Sequence, residues 1–181
     1  MLHSAYLLVL EHARSLEERL LADELRGQAV AFLSRRWMVA DGHLTSIQVP
    51  VLDSDQEVEV EIDHDRQTYF YRSPSCRGRV VTRPLSDITL YAINLDAWMD
   101  DVCALLEIEP SRRARSREVI AERLWHLGDI RVGQTHRFAP IYLARRLPSS
   151  AAEWQHALLS AKRPSQGIVL TAHDVDIELP N

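Results

Sequence analysis

Residues 111–128 read SRRARSREVIAERLWHLG, and this stretch carries two signals at once. Ile120, Leu124 and Leu127 recur at spacings of four and three, the period of a helix with one apolar face. The stripe predicts a helix that starts at Ser111 or Ser116 and runs to about Leu127, with Gly128 as its C′ residue. The second signal is charge. From Ser111 to Leu147 nine Arg stand against three acids (Glu118, Glu122, Asp129), a net of +6. The formal charge of the 181-residue chain is −5, so the remainder carries −11. Such a single-sign patch attracts an oppositely charged surface over about a Debye length.

Downstream, Asp129 to Val132, a turn at Gly133-Gln134 and a return from Arg137 to Leu143 predict a β-hairpin, with Pro140 favouring an edge position for the return. Ser150-Ala151-Ala152-Glu153 is a capping box that opens a helix through Trp154 and Leu158 and ends at Lys162-Arg163-Pro164. A last strand is expected over Gly167 to Thr171. Upstream, Asn94 is an N-cap for a helix whose stripe is Leu95, Trp98, Met99, Val102, Leu105 and Leu106.

Before that helix the period changes to two. Ile47, Val49 and Val51 alternate with polar neighbours, and Glu57 to Ile62 alternates without a break. With Gln67–Arg72, Arg79–Arg83 and Ile88–Ile93 these runs predict an antiparallel meander of four to five strands, turned at Asp53-Ser54-Asp55, Asp63-His64-Asp65 and Ser73-Pro74-Ser75. The first 36 residues read as one long helix. Leu2, Tyr6, Val9, Leu10, Ala13, Leu16 and Leu20 form one stripe, which moves round to Leu21, Leu25, Ala29 and Phe32. The expected fold class is therefore α+β: the meander, the long N-terminal helix, three further helices and a C-terminal β-hairpin. The expected organisation is a single domain over residues 1–181, with sub-lobes at 1–84 and 85–181.

Composition narrows the chemistry. An apolar fraction of 46% supports a packed interior, and six Gly and eight Pro are too few for a disordered chain. Two cysteines, Cys76 and Cys103, provide neither a disulfide framework nor a four-cysteine zinc site. The apolar run Ala5–Leu10 lacks a basic flank and a cleavage site, and no segment approaches the ~20 apolar residues of a membrane span. The expected setting is cytoplasmic, with no membrane partner. Twenty Arg accompany a single Lys, Lys162, so nearly every cation presents a planar fork suited to carboxylates, phosphates and aromatic faces.

Neither a glycine-rich phosphate loop nor a nucleophile elbow is present, so no cofactor and no catalytic residue are assigned. Three groups pair histidine with acids: Asp41 with His43, Asp63-His64-Asp65, and His173-Asp174 with Asp176. None has the spacing of a known metal motif, and predicted turns favour Asp for its own backbone hydrogen bonds. Glu57, Glu59 and Glu61 share one face of their strand, ~7 Å apart, an arrangement that suits either a cation or Arg-rich partner or pairing with Arg79 and Arg83 on a neighbouring strand.

The assigned binding residues are Arg112, Arg113, Arg115, Arg117, Arg123, Trp125, Arg131 and Arg137. Trp125 is included because an exposed Trp beside Arg is the composition of an interface hot spot. The expected function is a non-catalytic interaction module, an accessory or regulatory subunit of a bacterial intracellular assembly. It docks onto an acidic protein surface and self-associates through the N-terminal helix. The alternative is winged-helix-like binding of DNA or RNA by residues 111–147, with two helices followed by a wing. A second alternative is a metal-dependent hydrolase built on Asp63, His64 or the His173–Asp176 group.

Overall fold

The structure, a computed structural model, describes residues 2–25, 27–52, 54–114, 118–133, 137–145, 156 and 167–171. In chain order it runs α1 (Leu2–His12), β1 (Arg19–Leu20), α2 (Ala29–Ser34), β2 (Met38–His43), β3 (Ser46–Val51), β4 (Ser54–Glu59), β5 (Glu61–Asp63), β6 (Thr68–Ser73), β7 (Arg79–Pro84) and β8 (Thr89–Ile93). It continues with α3 (Leu95–Leu105), a 3₁₀ turn at Pro110–Arg112, β9 (Glu118–Ile120), β10 (Leu124–Arg131), β11 (Phe138–Ala144) and β12 (Ile168–Leu170). Strand dominates, and the helix-rich arrangement expected from periodicity is not what this chain forms. Among the described residues no helix is long and apolar enough to cross a membrane.

The chain divides into two compact units: residues 1–16, 35–37 and 94–181, and residues 17–34 and 38–93. In the first unit the sheet order is β12-β11-β10-β9, with β12 parallel to β11 and the other pairs antiparallel. Ile141, Tyr142, Leu143 and Ala144 are all buried, so both faces of β11 are covered. On one face Leu124, Tyr142 and Ala144 pack with Val119, Ile120 and Val169. Trp98, Met99, Val102 and Cys103 form the buried side of α3, and the Cys103 thiol donates to the Leu127 carbonyl at 3.6 Å. Each such apolar side chain contributes about 1.5–3 kcal/mol on burial. Asn94 caps α3 as expected, its side-chain oxygen accepting from the Ala97 amide at 3.3 Å.

Two expected helices fail here for identifiable reasons. The N-terminal helix stops at His12 because Arg145, at the end of β11, takes up the carbonyls that would continue it. Its Nε donates to the Leu10 oxygen at 2.5 Å, and a terminal nitrogen donates to the Ala13 oxygen. A guanidinium is a good terminator, since it meets orphan carbonyls at the negative end of the helix. Beyond it Leu20 is buried as part of β1, paired with Tyr91 of β8, and Phe32 is buried in the separate helix α2. With the helix goes the long apolar stripe that the expected self-association needed.

The predicted helix ending at Leu127 is also absent. Its residues form β9, a turn and β10, in which Trp125 pairs with Leu143 and Leu124 with Ala144. Gly128 is a bulge position, not a helix cap: its φ is +149°, and the register with β11 shifts between His126 and Gly128. The spacing of Ile120, Leu124 and Leu127 fits a helix, but ladder pairing on two sides and a buried interior outweigh a local preference worth tenths of a kcal/mol. The hairpin is present as β10 and β11. Its return strand is interior, and Pro140 sits one residue before the β12 ladder begins at Ile141. The expected helix after Ser150, apart from His156, lies outside the described residues.

The second unit contains three small sheets in place of one meander: β3 with β4, β5-β6-β7, and β1-β8-β2. The faultless alternation from Glu57 to Ile62 is interrupted at Val60, whose amide donates to the Thr45 carbonyl, and the chain changes sheets there. Tyr69, Leu85 and Ile88 are the buried centre, with Leu44, Ile47, Val60, Ile62 and Tyr71 against them. Strand β2, paired with β8, occupies residues for which no strand was predicted.

Candidate interaction surface

The Arg-rich segment supplies the exposed side chains of the first unit around the 3₁₀ turn and the β10–β11 hairpin. Pro110 starts that turn, so Arg112 leaves it with its guanidinium carbon 3.6 Å from the centre of the Phe138 ring at the start of β11. Its Nε lies 3.4 Å from a Glu109 carboxylate oxygen. Phe138 is 40% exposed and Val132 47%. Glu107, Glu109, Arg112, Asp129, Ile130, Arg131 and Phe138 line a depression of about 250 Å³. Three carboxylates and two guanidiniums meet in this small volume.

The remaining assigned residues scatter. Arg113 is held inward: Nε donates to the Ile108 carbonyl at 3.4 Å, and a terminal nitrogen lies 3.8 Å from Asp100 on α3. Arg123, Arg131 and Arg137 are exposed. Arg115 and Arg117 lie outside the described residues. Trp125 is a correction. At 4% exposure it is part of the interior of β10 and offers nothing to a partner. The residue that sequence reasoning missed is Phe138. Its signal was an aromatic residue beside Arg137 at the mouth of a predicted hairpin, where a strand end leaves one face in solvent.

The other groups separate. Glu57 accepts from the Ser46 hydroxyl at 2.5 Å; Glu57 and Glu59 are on β4, in a different sheet from Arg79 and Arg83 of β7, and Glu61, on β5, is separated from β7 by β6, so neither group lies on a strand adjacent to those arginines. Arg79 faces Ser73 and Arg83 faces Tyr69. His43 and His64 do approach, ring centres 5.9 Å apart and edge-on. Asp63, however, accepts the Arg66 amide within its own turn, and among the described residues no group of three His, Cys, Asp or Glu is arranged to hold a metal ion. His173, Asp174 and Asp176 lie outside the described residues. Both cysteines are free thiols, Cys76 exposed and Cys103 buried.

A second feature of this unit is aromatic. Tyr6 of α1 donates its hydroxyl to the Trp37 carbonyl at 2.8 Å and stacks on Trp98 with ring centres 5.6 Å apart. Trp37 Nε1 donates to Asp101 at 2.9 Å, and the Arg35 guanidinium lies 5.4 Å over its ring. His3 packs 4.7 Å from Trp37, and burial foremost, with the Arg35 charge, pushes its pKa below the usual histidine value. Burial likewise holds the Tyr6 hydroxyl far above its ordinary titration range.

The chain is thus a predominantly β protein of two units with a mixed-charge, aromatic-bearing surface on one. Comparison with family models, with characterised proteins and with solved structures returns no match.

Proposed function

We propose that this protein is a non-catalytic interaction module that docks a protein partner through the surface around Arg112 and Phe138. The observation that carries the reading is the Arg112 guanidinium stacked 3.6 Å over a part-exposed Phe138. A preordered guanidinium on an aromatic ring gives a partner a flat apolar face and in-plane donors with little side-chain entropy left to lose. Arg131 and Arg137 extend it with exposed forks for carboxylates.

The partner class follows from the interleaved acids. Glu107, Glu109 and Asp129 line the same depression, so a phosphate backbone laid across it meets carboxylates as well as cations. A protein surface that presents carboxylates beside an apolar side chain suits both. The winged-helix version of nucleic-acid binding also loses its recognition helix, since residues 118–120 and 124–131 are strands.

The test combines affinity capture with nucleic-acid titration. A partner held by the wild-type chain is expected to be lost by about 100-fold in affinity from the Arg112→Ala/Phe138→Ala double variant. Labelled duplex DNA is expected to show no salt-dependent rise in anisotropy. Undiminished capture by the double variant, or DNA binding with a log–log salt slope of several units, overturns the reading.

A further inference from the structure

Two strands of the second unit present their outer edges to solvent. Among the described residues β4 and β7 are each the last strand of their sheet. Every residue of β4 is exposed except the half-buried Val58, and every residue of β7 except the half-buried Val81. Register and two hydrogen bonds fix which backbone groups stand outward. The Val60 amide donates to the Thr45 carbonyl at 3.0 Å, so Ile47–Val58 and Val49–Gln56 are the bonded pairs of that ladder. The N–H and C=O groups of Asp55, Glu57 and Glu59 therefore turn away from β3. The Leu85 amide donates to the Gln67 carbonyl at 2.9 Å, and the same count turns Val80, Thr82 and Pro84 away from β6. Pro84, which has no N–H, stands at an outward position, where an edge strand tolerates it.

We infer that β4 of one copy of this chain pairs in parallel with β7 of a second copy, head to tail. Charge selects the two edges. Asp55, Glu57 and Glu59 share one face of β4, and Arg79 and Arg83 share one face of β7. Pairing two β4 edges, or two β7 edges, crowds like charges into one ladder, the device by which natural edges avoid self-pairing. Pairing β4 with β7 brings opposite charges together, and geometry then chooses the direction. In an antiparallel ladder the outward residues of the two strands face each other directly, so the acids meet Val80 and Thr82. In a parallel ladder each outward residue bonds to the two that flank its opposite number. Asp55 then lies beside Arg79, Glu57 beside Val81 and Glu59 beside Arg83, while Glu57 exchanges bonds with Val80 and Thr82. Opposite charges across a ladder are favourable. The acid–arginine pairing that separate sheets deny within one chain thus forms between copies. Because the two edges differ, the contact is heterologous, and association proceeds to an open series or a closed ring.

The test is sedimentation velocity of the full chain across concentration and salt, read together with amide hydrogen exchange. The weight-average mass is expected to rise above that of the monomer with concentration, and to fall back as salt screens the pairs. The amides of Glu57, Glu59, Val80 and Thr82 are expected to exchange about 10-fold more slowly, or slower still, as association proceeds. Asp55→Arg/Glu59→Arg and Arg79→Glu/Arg83→Glu change only exposed positions. Each double variant alone is expected to stay monomeric, because its two edges then carry charge of one sign. An equimolar mixture of the two is expected to associate again, which also shows that both variants fold. The inference is overturned by a wild-type chain that stays monomeric at its highest attainable concentration, or by association that leaves those four amides unchanged. Association retained by either double variant alone, or a mixture that stays monomeric where the wild type associates, overturns it equally. Arg112→Ala/Phe138→Ala alters neither strand and leaves self-association unchanged, so this inference and the docking surface fail separately.

Discussion

Arg145 shows how far one residue's role can depart from its appearance in the chain. Read as one of nine Arg in a basic stretch, it is a surface cation. It is in fact 2% exposed, donating to the Leu10 and Ala13 carbonyls, with Glu122 3.6 Å from its remaining nitrogen and Ser15 bonded to the same carboxylate. The apparent charge of +6 therefore overstates what a partner meets. Replacing Arg145 with Leu leaves two carbonyls and a carboxylate without their cation, and urea denaturation is expected to show a loss of about 3 kcal/mol. Arg145→Lys, with one point charge in place of a fork, is expected to recover only part of it. A loss of under ~0.5 kcal/mol in the Leu variant would mean that α1 ends without this cap. The same lesson applies to Trp125, where the neighbours Arg123 and His126 suggested a surface that the ladder with β11 removes.

Among elements, β10 is where local signal and tertiary context conflict most. Helical spacing was genuine in residues 111–127, yet Gly128 contradicts a helix once its surroundings are known. A Cβ there would lie 2.6 Å from the Arg112 carbonyl oxygen and 3.0 Å from the Ile108 side chain. The bulge thus lets the 3₁₀ turn that carries Arg112 press against the strand, and an isolated bridge joins Arg113 to Gly128. Gly128→Ala is expected to cost about 2–3 kcal/mol, from clash and from a φ that L-residues avoid. Thermal denaturation should show a midpoint lower by roughly 4–10 °C, and an unchanged midpoint would show that the turn does not touch the strand. Elements whose two signals agree were legible: α3 with its Asn94 cap, β3 with period-two alternation, and the hairpin at Gly133.

At the scale of the whole molecule, burial of titratable groups in both units sets a pH window. His3 has its pKa lowered by burial, so on acidification the unfolded chain takes up a proton first, near pH 6.5. Stability is therefore present above that pH and is lost as pH falls toward the folded value. Tyr6, and Tyr69 in the second unit, have raised values, burial being the leading cause. There the unfolded chain loses protons first, near pH 10, so stability declines as pH rises beyond it. Denaturation midpoints are expected to form a plateau between about pH 6.5 and 10. His3→Phe is expected to lessen the acid decline, and an identical acid limb in that variant would show that His3 does not contribute to it.

Composition and spacing alone determined that an apolar core is available, that strands lie at 47–51, 57–59, 68–72, 79–83 and 89–93, and that Asn94 starts a helix. These follow from near-neighbour chemistry: alternation, capping and turn residues act within a few positions. Only the tertiary structure decided that α1 ends at His12, that 118–131 is sheet, and that Arg112 sits on Phe138. In each case the deciding contact joins residues far apart in sequence: Arg145 with Leu10, Trp125 with Leu143, Phe138 with Arg112. Local periodicity biases a segment by tenths of a kcal/mol per residue. A buried cation on helix carbonyls, or a ladder with both faces covered, is worth several times that and so overrides the local preference.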